Sequence, residues 1–443
     1  MSGAETTGTL TAADLSAAAA QLAPTDRLLA SAYPGDSGER QPIHTVYIPA
    51  QHYREGIAGE WGRRAAELVE RHGGYPALME LLGIADEDRP VLTERVREKL
   101  AREPIEDLRI DFEDGFGDPG DEAEDAAAVS AAETLARDAA AGTAPPFVGI
   151  RFKCFEAATR ERGIRTLDLF VTALVRACGV AGLPEGLVLT LPKVSTVDQC
   201  VVMVTLLGRL EERLGLPAGR LGFEVQVETP QIVLAADGTV PLARVLHAGE
   251  GRITGLHYGT YDYSAAVGVS PQFQSMEHPA ADFAKAVMQV AAAGTGVRLS
   301  DGSTNVIPSG DAGPAETWRL HHRLVTRSLE RAFYQGWDLH PAHLPSRFVA
   351  SYAFLRTGVD QAATRLRNYV QQNTDGFLDE PATARPLAAF LARGVQSGAI
   401  SPDELADRVG IDAAELIAIA YPARARAPQP APGAARLEKE SHQ

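Results

Sequence analysis

Eight short runs of aliphatic, β-branched and aromatic residues recur between residues 44 and 340, and helical patterns alternate with them. The runs are HTVYIP (44–49), DLRIDFE (107–113), FVGIRFK (147–153), GLVLTLP (186–192), LGFEVQV (221–227), RITGLHY (252–258), GVRLSD (296–301) and GWDLH (336–340). Helical periodicity occupies 58–71, 90–101, 121–140, 163–178, 196–214, 239–248, 279–293 and 314–334. Strands separated by helices pair in parallel, because the crossover helix returns the chain to the same end of the sheet. Eight such strands close on themselves with side chains filling the interior. The chain is therefore expected to form an α/β fold, a (β/α)₈ TIM barrel, rather than an open sheet.

At 443 residues the chain exceeds the roughly 250 of a typical barrel, so additions are expected. Residues 1–40 read as an Ala-rich extension with two short helical patterns, at 11–22 and 25–32. The barrel is assigned to 41–345, a helical region to 346–421 and a disordered Pro/Ala-rich tail to 422–443. In the helical region Ser401 is the expected N-cap, with Glu404 completing a capping box.

A formal net charge of −16, with no Lys/Arg cluster, argues against nucleic acid or anionic membrane as partner. Cys154, Cys178 and Cys200 lack metal-like spacing, which suits a reducing compartment. Neither a signal-peptide pattern nor an uncharged run of membrane-spanning length is present in the sequence. These features suggest a cytoplasmic protein; a small-molecule substrate is expected, and so is a homo-oligomer.

Side chains alternate along a strand, so residues two apart share a face. Arg109, Asp111 and Glu113 then lie together, as do Arg151 and Lys153, and as do Glu224, Gln226 and Glu228. Parallel strands covered on both sides are normally apolar throughout, so the lumen must be polar, with its charges paired. Arg109 and Glu224, early in their strands, read as a structural ion pair. Arg151, Glu228 and Asp262 fall near C-terminal strand ends, where barrel chemistry is built. Glu228 and Asp262 end two successive strand-like segments, with little positive charge near them in sequence. Two such acids suit a shared hard cation such as Mg²⁺, or Mn²⁺ in its place.

The ordered motifs VYIPA (46–50), IDFEDGF (110–116), IRFK (150–153), LPKV (191–194), VETP (227–230), YGTYDYSAAVG (258–268) and LHPAHL (339–344) resemble the HpcH/HpaI aldolase and citrate lyase β-subunit family, with a fainter likeness to malate synthase. The resemblance covers about 300 residues and implies a Mg²⁺-dependent lyase or aldolase that stabilises an enolate. It implies Glu228 and Asp262 as metal ligands and Arg151 as the fork that grips a carboxylate or enolate oxygen. Glu113 and Asp114 match the family's acidic pair, placed to orient Arg151 or a metal-bound water. Lys193 would hold an anion, or else pair with Glu224 or Glu228. Tyr258, Tyr261 and Tyr263 depart from the family's small-residue turn and are expected to crowd the mouth, Tyr258 and Tyr261 against the substrate.

Proton transfer is assigned to His52, on a mouth loop, ahead of His257 and His340. A Schiff base through Lys153 or Lys193 is a weaker reading, because the acids point to metal. Two rivals remain. One is a malate-synthase-like Claisen condensation, with Asp311 or Asp338 as base; the other is a non-catalytic barrel that binds a metabolite.

Overall fold

The computed structural model describes residues 8–309, 313–371 and 381–422. All eight expected strands form: β1 (Thr45–Pro49), β2 (Asp107–Asp111), β3 (Phe147–Arg151), β4 (Gly186–Leu191), β5 (Gly222–Val227), β6 (Ile253–Tyr258), β7 (Arg298–Ser300) and β8 (Trp337–Asp338). They pair in parallel in the order β7-β6-β5-β4-β3-β2-β1-β8, and a bridge between Ser300 and Gln335 joins the two ends. The result is a nearly closed (β/α)₈ barrel with helices around it.

The outward residues are apolar on strand after strand: Val46 and Ile48, Leu108 and Ile110, Val148 and Ile150, Phe223, Val225 and Val227. They meet the buried faces of the surrounding helices. Helix Arg160–Cys178, for example, contributes Leu167, Phe170, Val171 and Leu174 at helical spacing. The core is one contiguous cluster running around the barrel.

The lumen is polar, as the alternation requires. From β2, the Arg109 guanidinium reaches Thr190 on β4 (2.9 Å) and both oxygens of Glu224 on β5 (3.0 and 2.8 Å). It also pairs with Asp107. Between them, on β3, Gly149 stands opposite Arg109, and its missing Cβ makes room for the Val188 backbone of β4. His257 Nε2 adds a contact to Glu224 at 2.9 Å. Burial opposes ionisation of Glu224, but the charge of Arg109 outweighs it and holds the carboxyl well below its usual range.

Asp338 points outward from β8 and is fully buried. Arg347 Nη2 (2.8 Å), His44 Nδ1 (2.7 Å) and His321 Nε2 (3.0 Å) converge on it. Arg347 lies on helix His343–Arg356, whose Leu344, Phe348 and Tyr352 enter the main core. The helices beyond it, Val359–Val370, Pro381–Ser397, Pro402–Val409 and Ala413–Ala420, share a separate small core of Leu366, Leu391, Leu405 and Leu416.

Local details depart from expectation in two places. The two N-terminal helical patterns are one helix, Ala12–Ala32, running through Pro24. Ser401 does cap its helix, accepting from the Glu404 N–H at 3.1 Å. The Glu404 carboxylate, however, goes to Arg356 (2.9 and 3.0 Å) instead of closing the box. All but the first residue of the proposed tail lies outside the described residues. Among the described residues no helix is long and apolar enough to cross a membrane.

His343 is stacked on His321 with ring centroids 4.5 Å apart, and burial pushes its pKa down from 6.5 to about 4. Between those values the unfolded chain binds a proton that the folded one refuses, so stability is lost as pH falls through this window. Urea midpoints measured from pH 7 to pH 4 are expected to fall. In His343→Gln the slope should be shallower by about one proton.

Candidate active site

The C-terminal ends of the strands open on a cavity of about 420 Å³ lined by Tyr47, Asp111, Arg151, Glu228, Tyr261 and Asp262, among others. The local sequence explains how each charged group arrives there. Asp111 and Arg151 end β2 and β3 and stand opposite one another in register. Arg151 donates through Nε and Nη2 to the two Asp111 oxygens, each at 2.7 Å, and its guanidinium lies 4.9 Å from the Tyr47 ring centroid. Asp111 also accepts from the Glu113 and Gly115 N–H groups (3.0 and 2.9 Å). Burial disfavours its charge, but Arg151 overrides this and keeps Asp111 below the usual carboxylate range. Arg151 is thereby fixed in plane along one edge, while Nη1 faces Glu113 Oε2 at 3.1 Å. That oxygen makes no hydrogen bond.

Two motifs are stitched together beside it. In LPKV and VETP, Thr229 Oγ1 donates to the Val194 carbonyl at 2.5 Å, and the Lys193 N–H donates to Glu228 Oε1 at 2.8 Å. Lys193 adopts φ +49°, a left-handed conformation uncommon outside glycine and a frequent mark of functional turns. From there Nζ reaches Glu113 (2.5 Å), Asp114 (3.0 Å) and Asp262 (3.2 Å). Burial opposes the ammonium charge, yet Glu113 and Glu228 outweigh it and raise its pKa. Gly259 is required here, since a Cβ at that position would run into the Glu228 carboxylate.

Glu228 is buried at the cavity wall, and its pKa is pushed up to about 8, first by burial and then by the charges of Glu113 and Asp262. Burial likewise raises Glu113. Five carboxyl groups (Asp111, Glu113, Asp114, Glu228, Asp262) thus face two cations, Arg151 and Lys193. Hard oxygen donors in excess of local positive charge, one of them holding a proton well above its normal range, fit a divalent cation.

The structure revises several expectations. Asp262 does not end β6; it lies in the first turn of the short helix Thr260–Ala266. The acids do not lack a neighbouring cation, because Lys193 Nζ stands among them. His52 sits exposed in the turn Ala50–His52 and is not among the cavity-lining residues. Tyr258 faces the other way from His257 and is buried against Tyr263, with Lys285 Nζ 5.7 Å from its ring. Only Tyr261 of the three tyrosines borders the cavity; its hydroxyl accepts from the Asn305 N–H at 2.7 Å. His257 is committed to Glu224, and His340 Nδ1 accepts from the Ala342 N–H at 3.1 Å. Asp338 is enclosed behind β8, and Asp311 lies outside the described residues. The sequence reading missed Asp111 as the anchor of Arg151 and Tyr47 as its floor. Cross-strand register, once the barrel is accepted, is the signal that could have found the first.

Among the described residues, His321, Asp338 and His343 form the one cluster of three with metal-ligand spacing. It fits a structural role better. Asp338 is gripped by Arg347 and His44, and His343 uses both nitrogens, toward Val306 (2.9 Å) and Leu339 (3.3 Å).

Between pH 4.5 and about 8, folded Glu228 binds a proton that the unfolded chain has released. Stability is therefore lost as pH rises through that window. In EDTA, the wild-type denaturation midpoint is expected to fall over this range relative to Glu228→Gln, which mimics the protonated side chain. Added Mg²⁺ should restore the wild type alone at high pH.

Similar folds occur among solved structures. A citrate lyase from Burkholderia xenovorans LB400 is 20% identical, with a TM-score of 0.54 over 83% of this chain and 96% of that one. A Haloferax volcanii malate synthase in complex with magnesium and glyoxylate is 17% identical (TM-score 0.48; 86% and 97% covered). An HpcH/HpaI aldolase/citrate lyase family protein from Burkholderia cenocepacia J2315 is 15% identical (TM-score 0.37; 74% and 95% covered). At 20% identity the likeness to the citrate lyase is one of fold alone. No curated protein matches the chain. A family model matches residues 22–424, nearly the whole described length, and the chain belongs to that family, the domain of unknown function DUF6986.

Proposed function

We propose that this protein makes or breaks a carbon–carbon bond beside a carbonyl, in a 2-oxo acid, hydroxy acid or acyl-CoA, with Mg²⁺ or Mn²⁺ held by Glu228 and Asp262. The observation that carries the reading is Glu228, a carboxyl buried beside two other acids at the open end of a barrel. Such a group is costly to ionise unless a cation comes with the ionisation. A hard dication bound there would supply Lewis-acid stabilisation of the negative oxygen that develops as the bond breaks.

The chain's own side chains supply the remainder. Arg151 has its Nε/Nη2 edge fixed by Asp111, and a substrate carboxylate or enolate oxygen would meet its end-on N–H groups in place of Glu113, now 3.1 Å from Nη1. Tyr47 supports the guanidinium from below and keeps it from tilting. Glu113 stands between Arg151 and Lys193 and sets their spacing. Lys193 supplies a second positive charge at the rim and, through its backbone, orients the Glu228 carboxyl. With His52 away from the cavity, it has no role in this reading.

A panel of 2-oxo acids, hydroxy acids and acyl-CoA thioesters, assayed for cleavage with and without Mg²⁺, tests the proposal. Cleavage is expected only with metal, and Glu228→Gln and Asp262→Asn are each expected to abolish it. Full activity of both variants in EDTA would refute the metal role. Acetyl-CoA-dependent loss of glyoxylate would instead identify a Claisen condensation, and silence across the panel a binding protein.

Arg151→Lys is expected to lower turnover by about tenfold or more, since a point charge cannot replace two aligned N–H groups. An unchanged rate in that variant would remove Arg151 from the chemistry.

A further inference from the structure

Helix Ala12–Ala32 is 21 residues long and buries none of its side chains. Leu15, Leu22 and Leu29 follow at seven-residue spacing and are 63, 54 and 51% exposed. Ala18, Thr25 and Ala32 occupy the intermediate positions, so the helix presents the alternating large and small seam that two-helix packing uses. Pro24 removes one backbone hydrogen bond from the helix, and a leucine seam left open to water is the face a partner would cover.

The same molecule carries a second unpaired seam. Helix Pro279–Ala292 buries Ala281, Ala284, Lys285 and Met288 against the barrel. Its outer face shows Phe283, Ala286, Val290 and Ala293 at three- and four-residue steps, with Phe283 57% and Val290 80% exposed. The flanking charges lean in opposite directions: Asp14 and Asp26 border the leucine seam, while beside the second Arg323, Arg327 and Arg331 outnumber by one the Glu277 and Asp282 carboxylates they pair with.

The N-terminal helix is tethered near that face without lying on it. Just past its end, the Gly35 N–H donates to the Gly294 carbonyl at 2.8 Å, and the Tyr33 ring meets His247 at 5.6 Å.

We propose that two copies of the chain form a symmetric dimer in which helix Ala12–Ala32 of each lies along helix Pro279–Ala292 of the other. Two facts select a second copy over an unrelated partner. Both halves of the contact are on one chain, so a two-fold axis satisfies both at once. The exchange also creates two seats, each about 20 Å of paired helix. Two seats bury twice what one does toward the ~800 Å² per partner that a stable interface needs. A membrane surface is a poorer fit, because the helix carries a single basic residue, Arg27, where interfacial helices are rich in Lys and Arg.

Sedimentation and light scattering of the full chain across a wide concentration range test this. The wild type is expected at twice the chain mass. The double variant Leu22→Glu, Leu29→Glu and the single variant Val290→Glu are each expected at the monomer mass. All three side chains are exposed, so neither variant disturbs the barrel core. A monomeric wild type, or a dimer that survives either variant, would overturn the proposal. Loss of the dimer in the leucine variant alone would show the helices pairing with each other and would equally overturn the exchange. A monomer that co-sediments with anionic vesicles would overturn it in favour of a lipid surface.

Discussion

Arg109 reaches from the second strand across the third to Thr190 and Glu224 on the fourth and fifth, and its charge is shared with Asp107 on its own strand. A charged group in a barrel interior is tolerated only with its hydrogen bonds and counter-charges in place. The network couples strand spacing to strand register. Shifting one strand by a residue would turn Glu224 outward into the apolar layer and leave Arg109 unpaired. Arg151 and Asp111 repeat the arrangement one layer higher, where the lumen meets water. Structural pairing below and the Asp111-anchored guanidinium above are the same device at two depths.

Much of this was readable from the sequence because it is local and periodic. The two-residue period located the polar face of each strand, and all eight strands fall where the apolar runs lie. The helix period did the same for the outer ring. Arg109 with Glu224 was legible as a structural pair, since both sit early in their strands. What periodicity could not carry lies beyond the strand ends. Asp262 is four residues past its strand, in a helical turn too short to show a pattern. Tyr258 precedes that turn by one step of alternation and faces the helices instead of the mouth. His52 follows its strand closely, yet the 3₁₀ turn carries it out to solvent.

The Lys193 ammonium was harder still to foresee. Its carboxylate partners lie 69 to 80 residues away, and only the folded barrel brings Glu113, Asp114 and Asp262 around it. Its left-handed backbone points the N–H and the side chain at acids on different elements. A sequence shows that acids outnumber bases in these motifs. It does not show that the few bases stand at the centre of the acids.

The eighth strand has two residues and the seventh three, and the bridge between Ser300 and Gln335 closes the ring with help from Asp301 N–H to Gln335 (2.8 Å) and Trp337 N–H to Gly302 (3.1 Å). Every other junction has a longer ladder on at least one side. This seam is consequently where the cylinder breathes first, with amide protons exchanging there ahead of those in the second to fifth strands. Trp337 and Ser303 flank the seam and also border the mouth cavity. Any opening of this weakest joint would therefore change the width of the entrance, because the same residues belong to both.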